Sequence, residues 1–357
     1  MRILKRIFIT SFITLFIFLT IDHFFGRIIL DYLNNKSDGI SIFSTKDKNL
    51  GLTFQKNQKI TNAQWGNNYY TFCSNELSLK SKCEKNNTKK KYEYAFIGDS
   101  FTEGIGLDYA KTFVGLFDKK FGNTINFAIS GASPSIHLKR LDFFLNDKEI
   151  DVKNLFLFFD LTDFEDDYGW VTQKEEYIDY YEIDFSKEKY KVFIKKNFVV
   201  TYHILLNVWW EQFRKYVFKY DRHLRFDDKR YAWDYLREDS IDNFDFKKNL
   251  VLDNLKKILD LTNSKNIKLF IVIYPHPGTI LFLENIEVSK NNELISNFCN
   301  NLDNCNFISL YDSFFKEQSK MSKKDIINKY YFKGDLHFNE EGNKFIYKNF
   351  IKQLDIN

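Results

Sequence analysis

The chain of 357 residues carries 52 Lys and Arg against 48 Asp and Glu, a formal net charge of +4. Charge this evenly mixed argues against a protein devoted to neutralising phosphates, which concentrates positive residues. At 44% hydrophobic and 18% aromatic, with 39 Phe and 21 Tyr but only 3 Pro and 14 Gly, the composition supplies a packed core and excludes global disorder, collagen and low-complexity linkers.

Arg2, Lys5 and Arg6 precede an apolar run from Ile7 to Ile21, which extends to Phe25 if Asp22 and His23 are placed at the far interface. Fifteen helical residues reach roughly 22 Å and nineteen roughly 28 Å, against a hydrocarbon core of about 30 Å, so the longer version just spans. A cleaved signal peptide would need a small-x-small site, and Phe24-Phe25-Gly26-Arg27 is bulky. A buried N-terminal helix is the other alternative. We read residues 1–30 as an uncleaved signal anchor, a transmembrane helix whose leading basic residues keep the N-terminus cytoplasmic and put the rest outside.

Nine residues separate Cys73 from Cys83, and five separate Cys299 from Cys305. Two close pairs suit two local disulfides in an oxidising compartment, although four cysteines allow three connectivities and four buried thiols are the alternative. No Cys-x-x-Cys occurs and no histidine lies near either pair, so no metal is assigned, and nothing calls for a cofactor.

Residues 31–91 are polar, rich in Asn and Lys, and end in Lys89-Lys90-Lys91; they read as a membrane-proximal region of strand and loop. Tyr92 to Ile97 is a short strand that stops at Gly98-Asp99-Ser100. Residues 111–121 have helical spacing, Thr124 to Ile129 is a second strand, and a helix covers His137 to Leu145. Leu155 to Phe159 is a third strand. From about 166 to 245 the chain is aromatic and charged, and its centre, Phe198 to Phe218, has a helical period. It is expected to be an inserted, mainly helical cap. The rhythm then resumes with a helix over Leu250 to Leu261, strands at Ile267 to Ile273 and Asn306 to Leu310, and a last helix from Glu340 to Lys352 capped by Asn339. Strands alternating with helices predict an α/β domain over 92–357 with a parallel sheet.

Two short stretches carry chemistry. A serine directly after a buried strand stands exposed at the carboxyl edge of a parallel sheet, where free N–H groups of the next helix can receive an oxyanion. Ser100 after Gly98-Asp99 has that placing. Near the C-terminus, Asp335-Leu336-His337 sets a carboxylate two residues before a histidine, the pairing needed for a general base with its orienting group. A serine hydroxyl requires such a base.

Phe96-Ile97-Gly98-Asp99-Ser100-Phe101-Thr102-Glu103-Gly104 resembles the first block of the SGNH (GDSL-type) hydrolase family. Asn126-Phe127-Ala128-Ile129-Ser130-Gly131 resembles its second, Asp335-Leu336-His337-Phe338-Asn339 its last, and Tyr274-Pro275-His276-Pro277 the Tyr-Pro segment of membrane-anchored members. The resemblance covers about 92–165 and 248–353. It implies a three-layer α/β/α sandwich with a flavodoxin-like sheet, Ser100 as nucleophile, His337 as base and Asp335 as orienter. The N–H groups of Ser100 and Gly131 would form the oxyanion hole. Two departures stand out. The family's third block is usually Gly-x-Asn-Asp, but here Asp160-Leu161-Thr162-Asp163 places Thr162 where the asparagine donor is expected. Asp335 also lies two residues before the histidine where many members have three; alginate-acetylating relatives share the shorter spacing.

His276 and Asp163 remain as possible substrate contacts, and the Tyr and Trp residues of 168–233 as sugar platforms or cap core. Three functions follow. The first is an exported membrane-anchored esterase removing acyl groups, acetyl foremost, from a cell-envelope glycan. The second is an O-acetyltransferase served by an integral-membrane acyltransferase partner. The third is a non-catalytic glycan-binding or assembly protein. No nucleic-acid partner is expected.

Overall fold

The computed structural model describes residues 2–34, 42, 45–66, 68–84, 88–172, 197–201, 233–235 and 238–354. The chain divides into two compact units, residues 1–38 with 175–221, and residues 39–174 with 222–357. Much of the expected cap, including Tyr177, Tyr180, Tyr181, Trp209 and Trp210, lies outside the described residues.

The first unit is built on helix α1 (Arg2–Asn34). Its apolar side chains point outward, with Phe8, Phe12, Phe16 and Phe24 all more than 60% exposed. The segment Phe8–Gly26, 19 residues with a mean hydropathy of 1.8, is long and apolar enough to cross a membrane. Asp22 is buried, and its two oxygens accept the backbone N–H groups of Val200 at 2.9 Å and Thr201 at 2.7 Å. A carboxylate near the end of an apolar run therefore has two donors, supplied by the first turn of the short helix Val199–Thr201.

The second unit opens with two antiparallel ribbons, β1 (Thr45–Asp47) with β2 (Gly51–Thr53), and β3 (Lys59–Trp65) with β4 (Asn68–Cys73). A five-stranded parallel sheet follows: β5 (Lys91–Ile97), β6 (Thr124–Asn126), β7 (Asp151–Phe159), β8 (Lys268–Ile273) and β9 (Cys305–Ser309). Its order is β6-β5-β7-β8-β9, and the pairs are parallel throughout. That is the 2-1-3-4-5 order of a flavodoxin-like doubly wound sheet.

Both faces of this sheet are covered, which explains why its strands read as near-continuous apolar runs. Side chains alternate across the pleat. Ala95, Ile97, Leu155, Leu157, Phe159, Ile271 and Ile273 face one layer, with Leu141, Val251, Leu255 and Ile258. Phe96, Phe156, Phe158 and Val272 face the other, with Phe113, Phe117, Ile346 and Phe350. The second layer holds α2 (Phe113–Phe121) and the first holds α3 (Pro134–Asp142) and α4 (Phe244–Ser264); α5 (Glu340–Gln353) joins α2 in the second. The last of these is capped by Asn339, whose side chain accepts the Gly342 N–H at 2.9 Å.

Three expectations are revised here. Residues 45–84 are no separate membrane-proximal module, because Leu50, Leu52, Phe54, Phe72 and Leu79 are buried in the same unit as the sheet. The cap does not begin at 166, since residues Asp163–Thr172 form one helix of the sheet unit. Trp170 and Trp233, grouped with the cap on sequence, are buried in that unit, where Trp233 stacks on Phe164 at 4.1 Å and Phe244 at 4.9 Å. Both pack within that unit, where they are 7% and 3% exposed.

The disulfides are Cys73–Cys83, at the end of β4, and Cys299–Cys305, which ties a helix to the first residue of β9. Phe156 is fully buried and touches the rings of Phe96, Phe117, Phe270 and Phe350 at 5.0 to 5.7 Å. Phe156→Ala is expected to lower stability by about 3–5 kcal/mol, read from the midpoint of urea unfolding.

Candidate active site

The carboxyl ends of β5, β7 and β8 converge, and each is followed by polar residues. After β5 the chain turns at Gly98. A Cβ there would sit 2.3 Å from the Thr102 hydroxyl and 2.9 Å from the Phe158 carbonyl oxygen, so only glycine allows so tight an approach. Asp99 caps the single turn Ser100–Glu103, accepting the Phe101 N–H at 2.9 Å. Ser100 is left partly exposed at the head of that turn.

The segment before the last helix forms a closed loop. Phe332 N–H donates to the His337 carbonyl at 2.9 Å, Asp335 N–H donates to the Phe332 carbonyl at 3.0 Å, and Tyr331 bridges to Phe338. Phe338 is buried against the rings of Phe101 and Tyr274. This packing delivers His337 to the serine: its Nε2 lies 2.8 Å from Ser100 Oγ. On the other side of the ring, Nδ1 pairs with Asp335 Oδ1, which also accepts the His337 amide at 2.9 Å. Trp65 from β3 donates its indole N–H to Asp335 Oδ2 at 3.1 Å.

Burial works to raise the Asp335 carboxyl, but the facing His337 and the ring, amide and indole hydrogen bonds outweigh it and hold the group at about 2. Burial likewise works to lower His337, and the charge and hydrogen bond of Asp335 overcome it, leaving the imidazole above its ordinary value. With Asp335 ionised and bound to Nδ1, the neutral ring carries its proton there and presents Nε2 as an acceptor for the Ser100 hydroxyl.

Gly131 lies in a buried turn with φ +78°, a conformation suited to glycine. Its carbonyl accepts the Trp170 indole N–H at 3.0 Å, and the neighbouring Ser130 gives both its amide, at 2.7 Å, and its hydroxyl to Glu103. The turn is thus held from both sides.

Thr162 does not occupy the role expected of a side-chain oxyanion donor. Its hydroxyl donates to Asp160 Oδ1 at 2.6 Å, and its own amide donates to the same oxygen at 2.8 Å. The hydroxyl has one proton, and Asp160 takes it. Asp163 and His276, named as possible substrate contacts, are also displaced from that role, being 0% and 1% exposed. His276 Nε2 pairs instead with Asp160 Oδ2 at 2.7 Å, and Asp163 Oδ2 accepts the Asp160 amide at 3.0 Å.

Asp99, Asp160 and Asp163 are therefore three buried carboxyls beneath the serine. Asp160 is held far below the ordinary carboxylate range: burial opposes this, but His276 and the two Thr162 hydrogen bonds prevail. Asp99 and Asp163 go the other way, raised by burial and by the neighbouring Asp160 charge. Sequence reasoning missed Trp65 and assigned no role at the site to Glu103, which lies inside the first block, or to Trp170, which was grouped with the cap; each reaches the site through tertiary packing. Removing the partner of a buried charge is costly, so His276→Ala is expected to lower stability by about 3–5 kcal/mol in urea unfolding.

No family model and no curated protein matches this sequence. Among solved structures, the chain is similar to the acetyl xylan esterase AlAXEase, at 14% identity and a TM-score of 0.41, covering 73% of this chain and 99% of that one. It is similar to a catalytic mutant of Axe2, an acetylxylan esterase from Geobacillus stearothermophilus, at 11% identity and a TM-score of 0.41, covering 77% and 98%. A GDSL-like lipase from Bacteroides thetaiotaomicron is also similar, at 12% identity and a TM-score of 0.35, covering 74% and 86%.

Proposed function

We propose that the chain is an exported, membrane-anchored serine esterase of the SGNH type, removing acetyl or similar short acyl groups from a cell-envelope glycan. The observation that carries this reading is the unbroken hydrogen-bonded line from Ser100 Oγ through His337 to Asp335, at the carboxyl edge of a parallel sheet. Disulfides in the sheet unit and an outward-facing apolar helix preceded by Arg2, Lys5 and Arg6 support export and anchoring.

In this reading Ser100 Oγ attacks the ester carbonyl carbon while its proton passes to His337 Nε2. The imidazolium is stabilised by Asp335. The carbonyl oxygen takes up the negative charge and is held by the amides of Ser100 and Gly131. Collapse of the intermediate breaks the ester C–O bond, and His337 returns its proton to the departing sugar oxygen. Water then attacks the acyl-serine with His337 again as base, releasing the carboxylic acid and restoring Ser100. With the Thr162 hydroxyl committed to Asp160, two backbone donors form the hole. Loss of one donor typically slows turnover by about two to three orders of magnitude, so slow hydrolysis of simple esters is expected.

A fluorophosphonate probe tests the nucleophile. Wild type should label, Ser100→Ala should not, and His337→Ala should label far more slowly; a folded wild type that resists labelling would overturn the esterase reading in favour of a non-catalytic one. The pH dependence follows from the raised imidazole. Below its pKa, His337 is protonated and cannot accept the serine proton, so kcat/KM for p-nitrophenyl acetate should rise through an apparent pKa above 6.5 and level off at alkaline pH.

A further inference from the structure

Trp65 lies outside every segment that resembles a hydrolase block, at the last residue of β3 in the ribbon that precedes the sheet. Its ring nonetheless stands edge-on to His337, with centroids 5.4 Å apart and planes at 85°, while its N–H reaches Asp335 Oδ2. The two oxygens of Asp335 thus have separate tasks. Oδ1 takes the imidazole and the His337 amide, and Oδ2 takes the indole. The Asp335 side chain is 27% exposed, so without the indole Oδ2 would face water and the carboxylate could rotate about its own bond.

The ribbon that carries Trp65 is firmly seated. Ala63, Tyr70 and Phe72 are buried, and the Thr71 amide donates to Asp108 at 2.7 Å. Beyond it, the buried Lys80 donates from Nζ to the carbonyls of Gly104 at 2.6 Å and Leu107 at 2.8 Å, on the loop that leaves the nucleophile turn. Trp65 itself lies over Gly106, where an added Cβ would come within 3.2 Å of the indole Cδ1.

We propose that Trp65 is a positioning residue of the esterase, a fourth member of the Ser100–His337–Asp335 line that fixes the carboxylate and sets the basicity of the histidine. This rests on the reading of that line as catalytic. A neutral donor on Oδ2 shares the carboxylate charge; removing it leaves Asp335 a stronger base and favours the imidazolium. The other ionisable groups facing His337 are Asp99 on the nucleophile turn and Asp160 after β7, the latter paired with His276, and a Trp65 substitution leaves all three in place.

The test compares wild type, Trp65→Phe and Trp65→Leu, neither of which keeps the N–H donor, with p-nitrophenyl acetate across pH. The expected result is a fall in kcat of about ten- to a hundredfold with KM little changed, and an acid limb moved upward by up to about one pH unit. A downfield proton resonance from the His337–Asp335 hydrogen bond, identified by its loss in His337→Gln, should shift and titrate higher in the same variants. Far-UV circular dichroism and thermal unfolding check the fold, and the leucine variant serves if the phenylalanine variant does not fold. A folded variant that loses rate with an unmoved limb and resonance overturns the proposal, as does one indistinguishable from wild type. Wild type without Ser100-dependent turnover would overturn the esterase reading instead, and the resonance would still decide the role of Trp65.

Discussion

The buried pair of Asp160 and His276 is the interaction around which the site is assembled. Both groups are removed from water, and the carboxylate uses its remaining valences on the Thr162 amide and hydroxyl. Isolated, a charge so deeply buried would be expelled or neutralised; paired and fully hydrogen-bonded, it becomes tolerable. Its presence then constrains its neighbours. Two further ionised carboxylates, Asp99 and Asp163, would repel it at close range, so burial and that charge together favour their neutral forms. One residue holds the negative charge beneath the serine, and its location is fixed by the histidine after β8.

This arrangement accounts for a threonine at position 162. Thr162 follows β7 at the carboxyl edge of the sheet, and its hydroxyl is turned inward onto Asp160. The Thr162 hydroxyl and amide are committed to a buried carboxylate. Above this floor, the polar ribbon residues 45–84 act as a brace. Arg140, fully buried, donates to the carbonyls of Leu52 and Phe127, joining the ribbon to the turn that leads to Gly131. Lys80 joins it to the nucleophile loop and Trp65 to Asp335.

Much of the sheet could be read from sequence because its strands bury both faces and form unbroken apolar runs: Tyr92 to Ile97, Leu155 to Phe159 and Ile267 to Ile273 each fall within a strand or a residue beyond it. Asn339 as a cap was legible for the same local reason, an acceptor side chain just before an amphipathic helix. Ser100, Asp335 and His337 could be singled out because each sits in a short local block, and the structure brings the three side chains together. What could not be read depends on distance along the chain. The short helices Pro277–Phe282, Lys290–Asn300 and Lys323–Tyr330 lie between stronger signals and are stabilised by packing. The inward turn of Thr162 needs His276 to explain it, and the buried fate of Trp170 and Trp233 needs Gly131 and Phe164. A polar, Lys-rich stretch gave no hint that residues 45–84 would fold into the sheet unit.

The site also has an order of appearance. Ser100 and His337 are separated by 237 positions, and Trp65 and Asp335 by 270. Contacts so far apart in sequence form late, because the intervening chain must be ordered before they are rewarded. A chain delivered N-terminus first therefore presents the brace and Ser100 long before His337 and Asp335 arrive. Until His337 has been made and α5 has docked, the Ser100 hydroxyl lacks its imidazole partner. A fragment that stops before Asp335 holds the serine without the imidazole and carboxylate that stand beside it in the full chain.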